Sequence, residues 1–184
     1  MNRTTVINAL NATVLAAACS HGPSSPDAFT PPDGTYQSVF SAVSGPGIGG
    51  LSVTPAATAA GTFDAIIKIR VQAARPNTTY LVQRAPEVGR ANGADGVCQR
   101  ALGVAPWSPS DPPAPAFVTF PIPSSPGPLV SLTTQANGNG SIDFEFGAPS
   151  IPAGTVFDVM FRLVDDASSP SAELRSGCFT VTAK

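Results

Sequence analysis

Charge is what this sequence has least of. Asp, Glu, Lys and Arg make up 12% of its 184 residues, against about a quarter in an ordinary soluble domain. Lysine occurs at positions 68 and 184 alone, and the formal net charge is −2. A chain so poor in cations carries no basic footprint for nucleic acid and no polybasic patch for an anionic membrane surface. Histidine is represented by His21 alone, which excludes Ser-His-Asp and Cys-His catalysis and multi-histidine zinc or copper sites. No apolar run reaches the roughly 18 residues of a spanning helix. Amphipathic helical patterns longer than a turn or two are missing as well.

Short alternating segments take their place. In residues 154–166, Phe157, Val159, Phe161 and Leu163 alternate with Asp158, Met160 and Arg162. Successive strand side chains point to opposite faces, so this spacing makes one apolar face and one mixed face. Phe179 and Val181 repeat the rhythm near the C-terminus. In residues 63–73, Phe63, Ala65, Ile67, Ile69 and Val71 share one face, and Asp64, Lys68, Arg70 and Gln72 the other. Residues 78–84 resume the pattern as the expected hairpin partner of that strand. Residues 97–100 read as a brief strand, and residues 116–122, with proline at both ends, as an edge strand. Asn137-Gly138-Asn139-Gly140 accepts the positive φ of a tight turn, which predicts a hairpin between residues 129–134 and 141–146. There Ile142, Phe144 and Phe146 point inward, and Asp143 and Glu145 outward. Eight or nine such strands predict a single all-β domain, an antiparallel β-sandwich with a closed barrel as the alternative.

Ahead of the β-domain, at residues 35–184, stand two segments of other character. Residues 1–19 read as an export signal, with Arg3 in the n-region and an apolar run from Thr13 to Ala18. Ala16-Ala17-Ala18-Cys19 resembles a lipobox, so Cys19 is the expected lipidation site, and ordinary cleavage after Ala18 is the alternative. Residues 20–34 are rich in proline and serine and read as an extended tether. Proline amounts to 20 residues over the whole chain, about twice the average share.

Asn77-Thr78-Thr79-Tyr80, Leu132-Thr133-Thr134 running into Asn137-Gly138-Asn139-Gly140, and Gly154-Thr155-Val156-Phe157-Asp158-Val159 resemble bacterial exported immunoglobulin-like or fibronectin-like domains. The resemblance concerns the fold of residues 35–184 and implies no particular activity. The sequence departs from true immunoglobulin domains, with Ser176 where a tyrosine would precede the second cysteine by two positions.

Four sets of residues are candidates for chemistry. Cys98 and Cys178 form a natural disulfide pair in an oxidising compartment, and closing a loop of about 80 residues stabilises by roughly 4.5 kcal/mol through loop entropy. Asp143 and Glu145, roughly 7 Å apart by strand rise, have the spacing of a glycosidase pair, but an exposed strand shows such residues as a matter of course. Asp165 and Asp166, with Asp158, offer oxygens to calcium without the loop that calcium sites use. Trp107 is a possible ligand contact, and aligned with Tyr36 or Tyr80 on an exposed face it would make a carbohydrate-binding platform. The expectation is an extracytoplasmic, non-catalytic protein with a binding or structural role, needing no cofactor or metal. It is anchored at the cell envelope through Cys19, or secreted if that cysteine is unlipidated. Its partner is a protein or polysaccharide, and it meets a membrane only through an N-terminal lipid. On that reading Asp64, Lys68, Arg70, Asp143, Glu145, Asp158 and Arg162 lie on solvated faces. Phe63, Ile67, Ile69, Phe144, Phe157, Val159 and Phe161 form the core.

Overall fold

A computed structural model describes residues 34–107, 116–121 and 129–184. Ten strands follow in chain order: β1 (Tyr36–Ser44), β2 (Ile48–Ala56), β3 (Thr62–Gln72), β4 (Thr79–Pro86), β5 (Val118–Thr119), β6 (Ser131–Thr133), β7 (Gly140–Pro152), β8 (Val156–Val164), β9 (Glu173–Ser176) and β10 (Phe179–Thr182). A single helical turn, α1 (Gln99–Leu102), lies between β4 and β5. The fold is all-β, as the alternation predicts. Cys19 and the signal-like segment lie outside the described residues, as does the tether apart from Gly34.

All ten strands belong to one hydrogen-bonded antiparallel sheet in the order β5-β4-β8-β9-β1-β2-β3-β7, with β6 also on β4 and β10 also on β8. The sheet curls into a half-barrel whose two inner walls face one another, an arrangement compatible with a sandwich. One core fills it. Ile67 and Ile69 of β3, Tyr80 and Val82 of β4, Phe161 and Leu163 of β8 and Leu174 of β9 are all at most 2% exposed. Phe144 is only partly buried against this core, and the other six predicted core residues are buried within it.

Three local expectations are corrected. β3 and β4 are not hairpin partners: β3 pairs with β2 and β7, and β4 with β5, β6 and β8. Positive φ angles at Ala73 and Asn77 turn the chain out of the sheet between them. There the Ala74 N–H donates to the Gly138 carbonyl (3.0 Å) and the Asn77 N–H to that of Gln135 (3.3 Å). The Asn-Gly-Asn-Gly segment does make a tight turn, closed by Gly138 N–H to Gln135 O at 2.9 Å. Its flanking strands then part, β6 to β4 and β7 to β3. Gly138 has φ 76°, and a Cβ there would stand 2.3 Å from the Ala74 carbonyl oxygen, so the turn packs against the β3–β4 connection only with glycine. Finally, Gln99 and Arg100 lie in α1 rather than a strand. The Asp95 carboxylate accepts the Val97 N–H, the Leu102 N–H bonds back to Cys98 O, and Gly103 ends the turn at φ 66°. β5 is an edge strand, as its flanking prolines suggest.

β7 carries one further irregularity. Phe63 pairs with Ala148 but Thr62 with Pro152, so residues 149–151 bulge out of register. Pro149 has no N–H to give to the ladder at that point. At the bulge Ile151 is buried while Pro149 and Ser150 are exposed.

Candidate functional site

The two edges of the curled sheet, β5 and β7, approach without hydrogen-bonding. Aromatic rings close the gap. Phe120, just beyond β5, meets Phe144 and Phe146 of β7 edge-on at 5.1 and 5.0 Å and stacks on Phe161 of β8 at 5.4 Å. Past this seam, toward the β7 bulge, the interior is not filled. A cavity of about 350 Å³ remains, walled by Phe63 and Ile67 of β3, Phe157 and Val159 of β8, Val181 of β10 and Ile151 of the bulge. Its size falls in the range of small-molecule pockets, which are mostly apolar with a few converging polar groups.

The polar groups here are Arg84, Arg90 and Arg100, with Ser150. Arg84 occupies the inward phase of β4 two positions beyond Val82. Its guanidinium carbon lies 4.2 Å from the Phe120 ring centre and 4.1 Å from that of Phe146, a cation held by two aromatic faces. Burial, with the neighbouring Arg100 charge adding to it, lowers its pKa to about 10. It remains a cation at neutral pH. Arg90 and Arg100 flank Trp107, at 4.4 and 5.2 Å from its ring. Arg100 also donates through Nη1 to Pro86 O (2.8 Å), and its backbone N–H donates to Glu87 Oε1 (2.6 Å).

Residues 87–107 cover the outer face of β4 and β8 on the way to this mouth. A second small core forms beneath them from Ala85, Cys98, Ala101, Phe117 and Met160, with Cys178 packed against it. Cys98 and Cys178 are bonded, with Cα atoms 5.6 Å apart, so the cover is fastened to the residue preceding β10. The expectation that Asp158 and Arg162 are solvated is overturned, for Asp158 by the covering segment and for Arg162 by Gln83 and Phe117. Asp158 is fully buried and accepts from Gly96 N–H (2.8 Å) and Thr180 Oγ1 (2.6 Å). Arg162 is partly buried, donating to Gln83 Oε1 at 2.6 Å and lying over the Phe117 ring at 4.4 Å.

The other candidates divide cleanly. Trp107 is buried and lines the cavity, while Tyr36 and Tyr80 are buried elsewhere, their hydroxyls accepting from Thr182 N–H and Arg75 N–H. The three make no exposed aromatic platform. Asp143 and Glu145 are exposed on β7, away from the cavity. Asp143 is paired with both terminal nitrogens of Arg70, whose hydrogen bonds hold the carboxyl below its usual range. Asp165 is turned to its own loop. Burial pushes its pKa up, but Ser171, the Ala172 N–H and Arg75 outweigh that and leave it below the ordinary value. Asp166 accepts from Ser168 and Ser169. Among the described residues no group of His, Cys, Asp or Glu is placed to hold a metal.

No family model and no curated protein matches this chain. The site must therefore be read from its own chemistry. The three arginines are what the sequence reading missed. One signal was present for Arg84: it follows Tyr80 and Val82 at intervals of two, a charge in phase with a buried set.

Proposed function

We propose that this protein is a non-catalytic, extracytoplasmic binding module that takes a small, mainly apolar ligand into the curled sheet. The observation that carries the reading is the cavity of about 350 Å³ left at the bulged end of an otherwise filled core. Unfilled apolar space costs stability, and part of this space is walled by Val88, Arg90, Arg100 and Trp107 of the segment that a disulfide fastens. Such a bridge suits an oxidising compartment, and no helix among the described residues is long and apolar enough to cross a membrane. On this reading Cys19 carries the lipid that holds the domain at the envelope, and the fold is of the exported immunoglobulin-like or fibronectin-like kind.

The test is saturable uptake of a neutral apolar fluorophore, N-phenyl-1-naphthylamine, by the purified protein. One equivalent should bind with enhanced emission. Ala148→Trp, which places an indole into the cavity from its partly buried wall, should abolish uptake while circular dichroism keeps the strand signal. Absence of saturable uptake by the unaltered protein, or undiminished uptake by the filled variant, overturns the reading.

A further inference from the structure

We propose that Arg84 anchors the head group of a medium-chain carboxylate whose apolar tail occupies the cavity. The inference rests on the binding reading above and adds the chemical class of the ligand.

Four observations converge. Arg84 points into the sheet's interior, where a charge is expensive unless it is paired. Its Nη1 is buried and has no hydrogen-bond partner among the described residues. The four ion pairs among those residues use Arg70, Arg75, Arg162 and Arg175, so Arg84 is matched with no carboxylate there. The carboxylate of Glu87 directs Oε1 to the Arg100 backbone N–H, and the charge that acts on Arg84 is that of Arg100 rather than of Glu87.

The geometry of the rings selects the acceptor. Phe120 and Phe146 lie against the guanidinium at 4.2 and 4.1 Å, so new hydrogen bonds must be made at its edge, in its plane. A carboxylate is planar and presents two oxygens to a guanidinium edge, which is the match arginine makes best. Arg90 and Arg100 line the same cavity and raise the positive potential felt by an entering anion. The remainder of the wall is apolar and fits an alkyl or aryl body. At about 30 Å³ for a water-sized group, 350 Å³ holds about a dozen such groups, the size of a C8–C12 carboxylate.

The probes are octanoate, octanol and octyl phosphate, titrated into the purified protein by calorimetry. Octanoate should bind at least about tenfold more tightly than octanol. In Arg84→Met, which keeps the length and apolar stem, octanoate should lose about tenfold or more and octanol should bind no worse. Arg84→Lys keeps the charge without the planar fork and should recover only part of the loss. In nitrogen-15 spectra of the unaltered protein, the Arg84 guanidinium resonance should move with octanoate and stay in place with octanol. That readout needs no variant to fold.

Each other result counts against the anchor. Equal affinity for octanoate and octanol, with Arg84→Met indifferent to both, leaves an apolar cavity without a head-group site. Octyl phosphate binding more tightly than octanoate overturns the carboxylate. No binding of any probe, octanol and the neutral fluorophore included, removes the binding reading itself. A purely structural Arg84 would show as lost stability in Arg84→Met with an unchanged ratio of octanoate to octanol affinity.

Discussion

Two halves of one sheet treat their outer faces in opposite ways. In the half made by β1, β2, β3 and β7, alternation means what it ordinarily means. Lys68, Arg70, Asp143 and Glu145 are exposed, and Ile67, Ile69 and Phe146 are buried beneath them. In the half built on β4 and β8 both faces are covered. Met160 is buried in the outward phase of β8 alongside Asp158, because residues 87–107 and their disulfide lie over them, and Val164 is buried in the same phase. Asp158, Gln83 and Arg162 of this half are accordingly paired with protein groups rather than with water. The covered half also has the inward charge, Arg84. Burial on a strand depends on what crosses it, and the same alternating pattern gives a solvated wall or a two-sided one.

The largest test of that contrast is the fastening. Replacing both Cys98 and Cys178 by alanine should cost about 2–5 kcal/mol in denaturant unfolding, the usual range for a native bridge closing a long loop. Amide exchange should then rise first in residues 87–107 and in β10, while β2 and β3 keep their protection until global unfolding. Uniform loss of protection across both halves would mean that the cover is no separate unit.

Next in size is the buried carboxylate. Asp158→Ala leaves the Gly96 N–H and the Thr180 hydroxyl without their acceptor inside the protein. Stranded buried donors of this kind predict a loss of about 2–3 kcal/mol, read as a shift in urea midpoint at constant m-value. Asp158→Asn keeps one acceptor oxygen and should lose less. A change under about 0.5 kcal/mol in Asp158→Ala would show that water reaches the site and that this face is not sealed.

Much of the uncovered half was legible. The faces of β3 and β7 follow from their alternation, and a slip by one residue would turn each apolar set to water. Their pairing, Lys68↔Asp143, Ile67↔Phe144 and Ile69↔Ile142, does not: nothing local to residues 63–73 names residues 140–152 rather than 78–84 as the partner. The covered half was legible only on its inner face. Nothing in the alternation of residues 156–164 says that a segment sixty residues earlier lies across it. The hint was compositional: Met160 and Val164 stand in the outward phase with Asp158 and Arg162, a mixed set that suits a face under cover. The site was harder still. Cys98 and Cys178 could be paired by elimination, but the cavity depends on the β7 bulge and on where the sheet edges meet, and local periodicity encodes neither. Arg84 could be flagged as an inward charge, whereas its position between two phenylalanine rings required the topology.

Glu87 under the cover and Asp165 in the loop after β8 should also answer pH differently. Burial raises the pKa of Glu87 under the cover, an effect the nearby Asp158 and Asp95 charges increase and the Arg100 N–H partly offsets. A raised folded-state pKa stabilises fully below the unfolded value, and that contribution is lost as pH rises through the folded one. Glu87→Gln should therefore gain on the unaltered protein as pH rises from the ordinary carboxylate value toward neutrality. Asp165 has the opposite sign. Its pKa is depressed, so its contribution is present above the unfolded value of about 4 and lost as pH falls through the lower, folded value. Asp165→Asn should be destabilising at neutral pH and equal to the unaltered protein in strong acid. Urea midpoints of the three proteins from pH 2 to pH 7 check both limbs, and parallel curves would refute the assignment.

The smallest effects belong to the open face, where a near-null result is the informative one. Glu145 and Lys68 stand exposed on β7 and β3, and alanine at either should stay within about ±0.5 kcal/mol. Asp143 is the harder case, because its ion pair with Arg70 engages both guanidinium nitrogens. Both side chains are about half exposed, at 53% and 48%, and water screens such a pair strongly. Asp143 also faces Lys68 directly across the ladder, so Asp143→Ala leaves two cations side by side, each exposed and free to turn into water. Asp143→Ala should then cost no more than about 1 kcal/mol, and the cost should shrink in 1 M salt, where the screening length falls to about 3 Å. A salt-independent loss well above that value would mean that this wall is held as tightly as the covered one, and the contrast between the halves would fail.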